Sequence, residues 1–183
     1  MNFFETELPG VILFEPKLFK DERGFFMETF QVQEFTRAVN AAEFVQDYQS
    51  GSHQGVLRGL HYQIQQAQGK LVRVTVGEVY DVVVDLRRKS PTFGKSAGFL
   101  LSSSEKRQLW IPPGFAHGFY VLSEWAEMVY KATNYYAPQY ERTLLWNDPA
   151  LGIHWPLVGE QAPMVSVKDT QGSPLETAEV YDF

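Results

Sequence analysis

Short stretches of strand-forming apolar residues, broken by clusters of polar and turn-forming residues, recur along the whole chain. Residues 11–16 and 25–30 read as strands on either side of the polar turn 20–24, which contains Arg23. Between 31 and 42 the pattern changes: Val32, Phe35, Ala38 and Val39 recur at helical spacing, so this segment is predicted to be a helix covering one flank of a sheet. Residues 44–48 read as a strand running into the polar loop 49–54, followed by a strand over 55–63. The β-branched runs 70–76 and 79–86 flank Gly77-Glu78, a two-residue connection that predicts a hairpin. Further strands are expected at 97–101, 109–111, 117–122 and 127–136, with Pro112-Pro113-Gly114 as a turn. Residues 165–169 read as a strand-like terminus, and Ser173-Pro174-Leu175-Glu176 has the form of a capping box opening a short closing helix. Many short strands with frequent turn signals and few helices describe an all-β sandwich or barrel. No repeat or linker divides the chain, so residues 1–183 are expected to form one domain.

One strand does not fit a plain core. Residues 55–63, Gly-Val-Leu-Arg-Gly-Leu-His-Tyr-Gln, set an arginine and a histidine among apolar residues. Strict alternation puts Val56, Arg58, Leu60 and Tyr62 on one face and Leu57, Gly59, His61 and Gln63 on the other, which separates Arg58 from His61. A bulge at Gly59 would bring the two to one cavity, because one extra residue re-aims the next side chain and glycine accepts unusual backbone angles.

Composition narrows the chemistry. The chain has no cysteine, which removes disulfides, thiolate catalysis and cysteine-ligated metals. With 44% hydrophobic and 21% charged residues it has a globular composition, and no apolar run approaches the length of a bilayer crossing. Glu5 and Glu7 stand where a signal peptide would need basic and then apolar residues, so a cytoplasmic protein without a membrane partner is expected. A net charge of −6 argues against a nucleic-acid partner but leaves room for one small anionic ligand held by a local cationic cluster.

Among the four histidines, no pair shares a strand face at ligand spacing, so no metal site is expected. His53 and His154 read as surface or satisfied core residues; His117, after the rigid turn, reads either as a pocket-rim group or as a core histidine. Asp81 and Asp85 share parity with Val83 and are either exposed edge charges or pocket carboxylates. Tyr130 and Tyr136 share parity on the expected strand 127–136; opposite a histidine base, a phenol becomes a candidate proton donor. No serine nucleophile arrangement and no glycine-rich phosphate loop is visible, which leaves acid and base chemistry without a cofactor.

Taken in order, several motifs resemble the dTDP-4-dehydrorhamnose 3,5-epimerase family. They are residues 19–26 (Phe-Lys-Asp-Glu-Arg-Gly-Phe-Phe), 55–63, 70–73 (Lys-Leu-Val-Arg), 90–94 (Ser-Pro-Thr-Phe-Gly), 111–119 (Ile-Pro-Pro-Gly-Phe-Ala-His-Gly-Phe), 146–149 (Trp-Asn-Asp-Pro) and Lys168-Asp169. The resemblance implies a cupin-type jelly-roll barrel with a few short helices, a homodimer whose N-terminal strands reach across to the partner, no metal and no cofactor. It also implies a dTDP-linked 4-keto-6-deoxy sugar as substrate, on the route to dTDP-L-rhamnose for cell-surface polysaccharide. In its terms His61 is the base, Asp169 orients it, Tyr130 is the acid and Lys70 stabilises the enolate oxygen. Arg23, Glu28, Gln46, Asp47, Tyr48, Arg58, His117, Tyr136, Glu141 and Lys168 match substrate-contacting positions, with Tyr136 as the aromatic that stacks on thymine. Tyr48 departs from the family pattern, which has asparagine there: at the nucleotide end of the pocket it would alter binding more than turnover, whereas a ring that shifts the sugar would let only one carbon meet His61. A single-centre epimerase, a non-catalytic cupin sugar-nucleotide-binding module and a metal-dependent cupin oxygenase are the competing classes.

Overall fold

A computed structural model describes residues 1–39, 42–159 and 161–183. Its strands are β1 (Asn2–Glu5), β2 (Ile12–Glu15), β3 (Leu18–Asp21), β4 (Gly24–Met27), β5 (Gln46–His53), β6 (Val56–Gln63), β7 (Lys70–Val76), β8 (Glu78–Asp85), β9 (Ser96–Ser102), β10 (Gln108–Ile111), β11 (Phe115–Val121), β12 (Trp125–Ala132), β13 (Glu141–Thr143) and β14 (Met164–Val165). The helices are α1 (Val32–Ala38) and α2 (Val167–Thr170). One sheet runs β1-β2-β10-β7-β12-β5; the other runs β13-β6-β11-β8-β9, with β14 added in parallel to β6. This is the expected all-β jelly roll with few helices.

Three apolar layers explain why so many strands carry hydrophobic residues on both faces. Between the sheets, Val72, Val74, Leu109 and Met128 of one meet Val79, Val83, Phe115 and Phe119 of the other. The outer face of the first sheet packs Ile12, Phe14, Leu71 and Trp110 under Phe35 of α1. Leu60, Tyr62, Val82, Val84 and Ala116 on the outer face of the second sheet lie under the C-terminal segment, anchored by Tyr181. At about 25 cal/mol per Å² of apolar surface, burial in these layers is the main stabilising term.

Several expectations change. β7 and β8 do not form a hairpin: β7 pairs with β10 and β12, and β8 with β11 and β9. At Gly77 the chain instead crosses from one sheet to the other, with φ +74° and Trp125 and Ser123 so close that a side chain would collide with them. The polar segment 49–54 is mostly strand, since β5 continues to His53 and pairs along its length with β12. Strand β12 ends at Ala132, so Tyr136 lies beyond it. Residues 18–21 form a strand paired with β4, and β1 with β2, so the turn around Arg23 joins β3 to β4. Helix α1 stops at Ala38, and the remainder of that expected helix includes Asn40 and Ala41, outside the described residues. Val165 ends β14, but residues 167–169 are not extended: Ser166 caps α2 by accepting from the Asp169 N–H at 3.1 Å, which places Lys168 and Asp169 on a helical turn. Ser173 opens only a turn, in which the Leu175 N–H donates to Asp148 at 2.7 Å.

Asp81 and Asp85 are not edge charges. Strand β8 lies inside its sheet and both carboxylates are fully buried. Asp85 accepts from Arg87, Ser90 and Thr92, and these bonds hold its carboxyl below the usual range against the opposing effect of burial. That network fixes the turn after β8.

Candidate active site

The irregularity in β6 is where parity requires it. His117 of β11 pairs with His61, and Phe119 with Arg58, so two steps along β11 match three along β6. Gly59 takes φ +117°, and a Cβ there would meet the Gly118 Cα at 2.7 Å and the His117 carbonyl at 2.8 Å, so no other residue fits. The extra residue turns Leu60 and Tyr62 to the outer apolar layer while Val56 packs in the inner one. His61 consequently lines the cavity between the sheets, whereas Arg58 is exposed and is not part of that lining. Arg58 Nε donates to Ser52 Oγ of β5 at 3.0 Å.

His61 meets Asp169 at 2.6 Å from Nε2 to Oδ1. The other carboxylate oxygen accepts from the Gly59 N–H at 3.2 Å, so the bulge and the base share one anchor. Asp169 is 3% exposed, and burial alone would raise its pKa. The hydrogen bond and charge of His61, with the Gly59 and Ser166 contacts, outweigh that effect and hold it ionised below the usual range.

Around His61 a cavity of about 180 Å³ is lined by Tyr48, Gln63, Gln68, Lys70, Tyr130, Tyr136 and Glu141 among others. Lys70 opens β7, and burial pushes its ammonium down to about 8, while the charges of Asp81 and Glu141 pull the other way. Burial pushes the Tyr130 phenol up to about 12; Tyr48 and Glu141 add to the rise and Arg58 opposes it. A phenol so placed holds its proton at neutral pH. Tyr130 also has a direct cross-strand neighbour: Tyr48 on β5, with ring centroids 4.8 Å apart and planes 18° from parallel, so Tyr48 stands beside the expected acid at the cavity around His61 rather than at an end of the pocket apart from it.

Glu141 of β13 accepts from the Tyr136 hydroxyl at 2.8 Å and meets Lys168 Nζ at 2.5 Å. Burial would raise its pKa, but Lys168, Tyr136 and the charge of His61 hold it below the usual range. Gln46 accepts from the Tyr136 N–H at 2.8 Å and thereby brings that residue to the cavity although it has left the strand. His117 is buried, and its Nε2 lies 2.8 Å from Asp81 Oδ2, so it is held by a carboxylate rather than at a rim. Asp81 Oδ1 has no hydrogen-bond partner among the described residues.

Three expected site residues lie elsewhere. Asp47 is exposed on β5, paired with Lys131 at 3.1 Å, and lines an adjoining cavity with Arg73 and Gln108, which Tyr48 and Tyr130 also border. Arg23 is 90% exposed on the β3–β4 hairpin, paired with Asp21 at 2.5 Å, and Glu28 is exposed just beyond β4. Neither lines the cavity around His61. His53 is exposed and packs edge-on against Trp125, and His154 is exposed. Among the described residues no group of three or more His, Asp or Glu side chains is placed to hold a metal.

Sequence reasoning left Asp81 open and missed Ser52 and Ser166. The inward parity of Asp81 with Val83 signalled the first. Ser166 stands three residues before Asp169, the spacing of an N-cap, and that signal was available for the helix that carries Asp169.

Comparison with known proteins places the chain in a family. A family model described as dTDP-4-dehydrorhamnose 3,5-epimerase matches residues 5–177. A Pseudomonas aeruginosa protein of that name is 58% identical over 182 residues, covering 99% of both chains, and one from Shigella flexneri is 56% identical with the same coverage. The crystal structure of a Legionella pneumophila dTDP-6-deoxy-D-glucose-3,5-epimerase in complex with dTDP-4-keto-L-rhamnose superposes with a TM-score of 0.95 at 49% identity, covering 100% of this chain and 98% of that one. With a family match over nearly its whole length and a jelly roll that carries His61, Asp169, Lys70 and Tyr130 at one cavity, the chain belongs to the dTDP-4-dehydrorhamnose 3,5-epimerase family.

Proposed function

We propose that this protein epimerises dTDP-4-dehydro-6-deoxy-D-glucose at C3 and C5 to dTDP-4-dehydro-L-rhamnose, without a cofactor. The observation that carries the reading is the convergence of a carboxylate-held imidazole, a buried ammonium and a high-pKa phenol on one cavity. These are the three groups that proton transfer next to a ketone requires.

His61 takes the proton from the carbon beside the C4 ketone, and the electron pair moves onto the ketone oxygen as an enolate. Asp169 stabilises the imidazolium so formed. Lys70 supplies positive charge to the enolate oxygen. When the enolate collapses, Tyr130 gives its proton to the same carbon from the other face, which inverts the centre. Water then reprotonates the phenolate and deprotonates the imidazolium, so no proton is gained or lost. Arg58 and Lys168 are the cations for the diphosphate, and Tyr136 is the stacking surface for thymine. Arg23 and Glu28, exposed and remote from His61, serve the cavity of a second copy in a homodimer, to which the β3–β4 hairpin extends.

The test is incubation with this substrate in heavy water, read by NMR at each carbon. The wild type is expected to place deuterium at both C3 and C5. His61→Ala should abolish incorporation, and Asp169→Asn should lower its rate by roughly 10²–10⁴-fold, the range for a misoriented base. Deuterium at one carbon only would make this a single-centre epimerase. Wild-type exchange rates in His61→Ala would require another base.

A further inference from the structure

From the pairing of β5 with β12 we infer that Tyr48 is a positioning residue for Tyr130: its stacked ring fixes the phenol at the angle from which it protonates the enolate. The inference rests on the epimerase reading above and names a residue that decides how each enolate is partitioned.

Three observations converge. Tyr48 and Tyr130 are direct partners in the antiparallel register, so the backbone places the rings side by side before either finds a rotamer. The rings are near-parallel with centroids 4.8 Å apart, within the range where offset stacking adds to simple burial. Both rings line the cavity around His61, and the Tyr48 hydroxyl is buried without a hydrogen-bond partner among the described residues. With no polar partner anchoring that hydroxyl, the ring face is the contact that fixes Tyr130. Arg58, whose charge reaches Tyr130, is itself tied to Ser52, four residues along β5 from Tyr48, so that strand supports the acid from two positions.

The consequence is kinetic. Once His61 has removed a proton, the enolate has two fates. His61 can return a proton to the original face, leaving the centre unchanged but exchanged with solvent, or Tyr130 can deliver one to the opposite face and invert it. Loss of the stack leaves abstraction intact and slows only delivery, so the ratio of solvent exchange to inversion rises. A residue that merely contacts the ligand would shift KM and leave that ratio alone.

The experiment measures deuterium exchange and net inversion in the same samples for wild type, Tyr48→Phe and Tyr48→Leu, with calorimetry of dTDP binding to each. Tyr48→Phe keeps the ring and removes the hydroxyl, and its ratio is expected to stay within about twofold of wild type. Tyr48→Leu keeps apolar bulk and removes the ring, and its ratio is expected to rise roughly tenfold, part of the contribution of one positioned acid. The dTDP affinity of both is expected within about threefold of wild type, less than a tenfold change of 1.4 kcal/mol. An unchanged ratio in Tyr48→Leu with a raised KM would overturn the inference, as would equal rises in Tyr48→Leu and Tyr48→Phe. Absence of exchange in the wild type would instead overturn the epimerase reading and the inference with it.

Discussion

Lys70 is the residue at which pH should be felt. Burial brings its ammonium down to about 8, so it is charged at neutral pH and loses its charge as pH rises through that value. A neutral amine cannot stabilise the enolate oxygen, so kcat/KM is expected to fall on the alkaline side with an apparent pKa near 8. Because kcat/KM reports the free enzyme, that profile is the measurement to make. Lys70→Arg, whose guanidinium stays charged, should extend the plateau to higher pH even if its maximum is lower. An alkaline limb unmoved by that substitution would assign the titration to another group. At this scale the sequence shows residue types but not their partners. Nothing local joins His61 to Asp169, 108 positions away, or His117 to Asp81, 36 away; the first pair was expected from family likeness, and the second appears only when β8 and β11 lie side by side.

Among the elements, β6 depends most on one small residue. Gly59→Ala must accommodate a positive φ and a Cβ within 2.8 Å of the backbone of β11. Either the bulge relaxes or the two strands part, and the cost should be on the order of 1–3 kcal/mol, seen as a lower denaturation midpoint. Activity should fall further than stability, because the Gly59 N–H and His61 hold the same carboxylate. This bulge was legible because the opposite parity of Arg58 and His61 left few other ways to join them. Two other elements were not legible, for physical reasons. Gly77 and its neighbours carry the same local turn chemistry whether the flanking strands pair or cross between sheets; only the apolar layers on both sides of β7 and β8 decide it. The later part of strand β5, from Gln49 to His53, looked like a loop because Ser50 and Ser52 are polar. With Tyr48 they face inward, toward the cavity and Arg58, so their polarity reflects the site rather than solvent.

For the whole molecule, the β3–β4 hairpin is the part that one chain leaves unfinished. Among the described residues it pairs with no other strand, and Phe19, Phe25 and Phe26 are exposed on it beside Arg23. A second copy would cover these rings and receive Arg23 and Glu28. If so, His61→Ala and Arg23→Ala homodimers, each impaired, should complement when mixed and allowed to exchange subunits. Each hybrid would hold one intact cavity, giving about a quarter of wild-type activity at random exchange. No recovery, with exchange verified, would place Arg23 at its own chain's cavity or at none. The opposite end of the chain is tied down at every stage: β14 lies along β6, α2 carries Asp169, Ser173 bridges to Leu144, Leu175 bonds Asp148, and the Tyr181 hydroxyl donates to the Gln63 carbonyl at 2.6 Å. A belt buckled at so many points does not slip at one of them. Asp169 and Tyr181 lie on that one segment, so the pair of His61 and Asp169 forms where residues 164–181 have closed over the barrel.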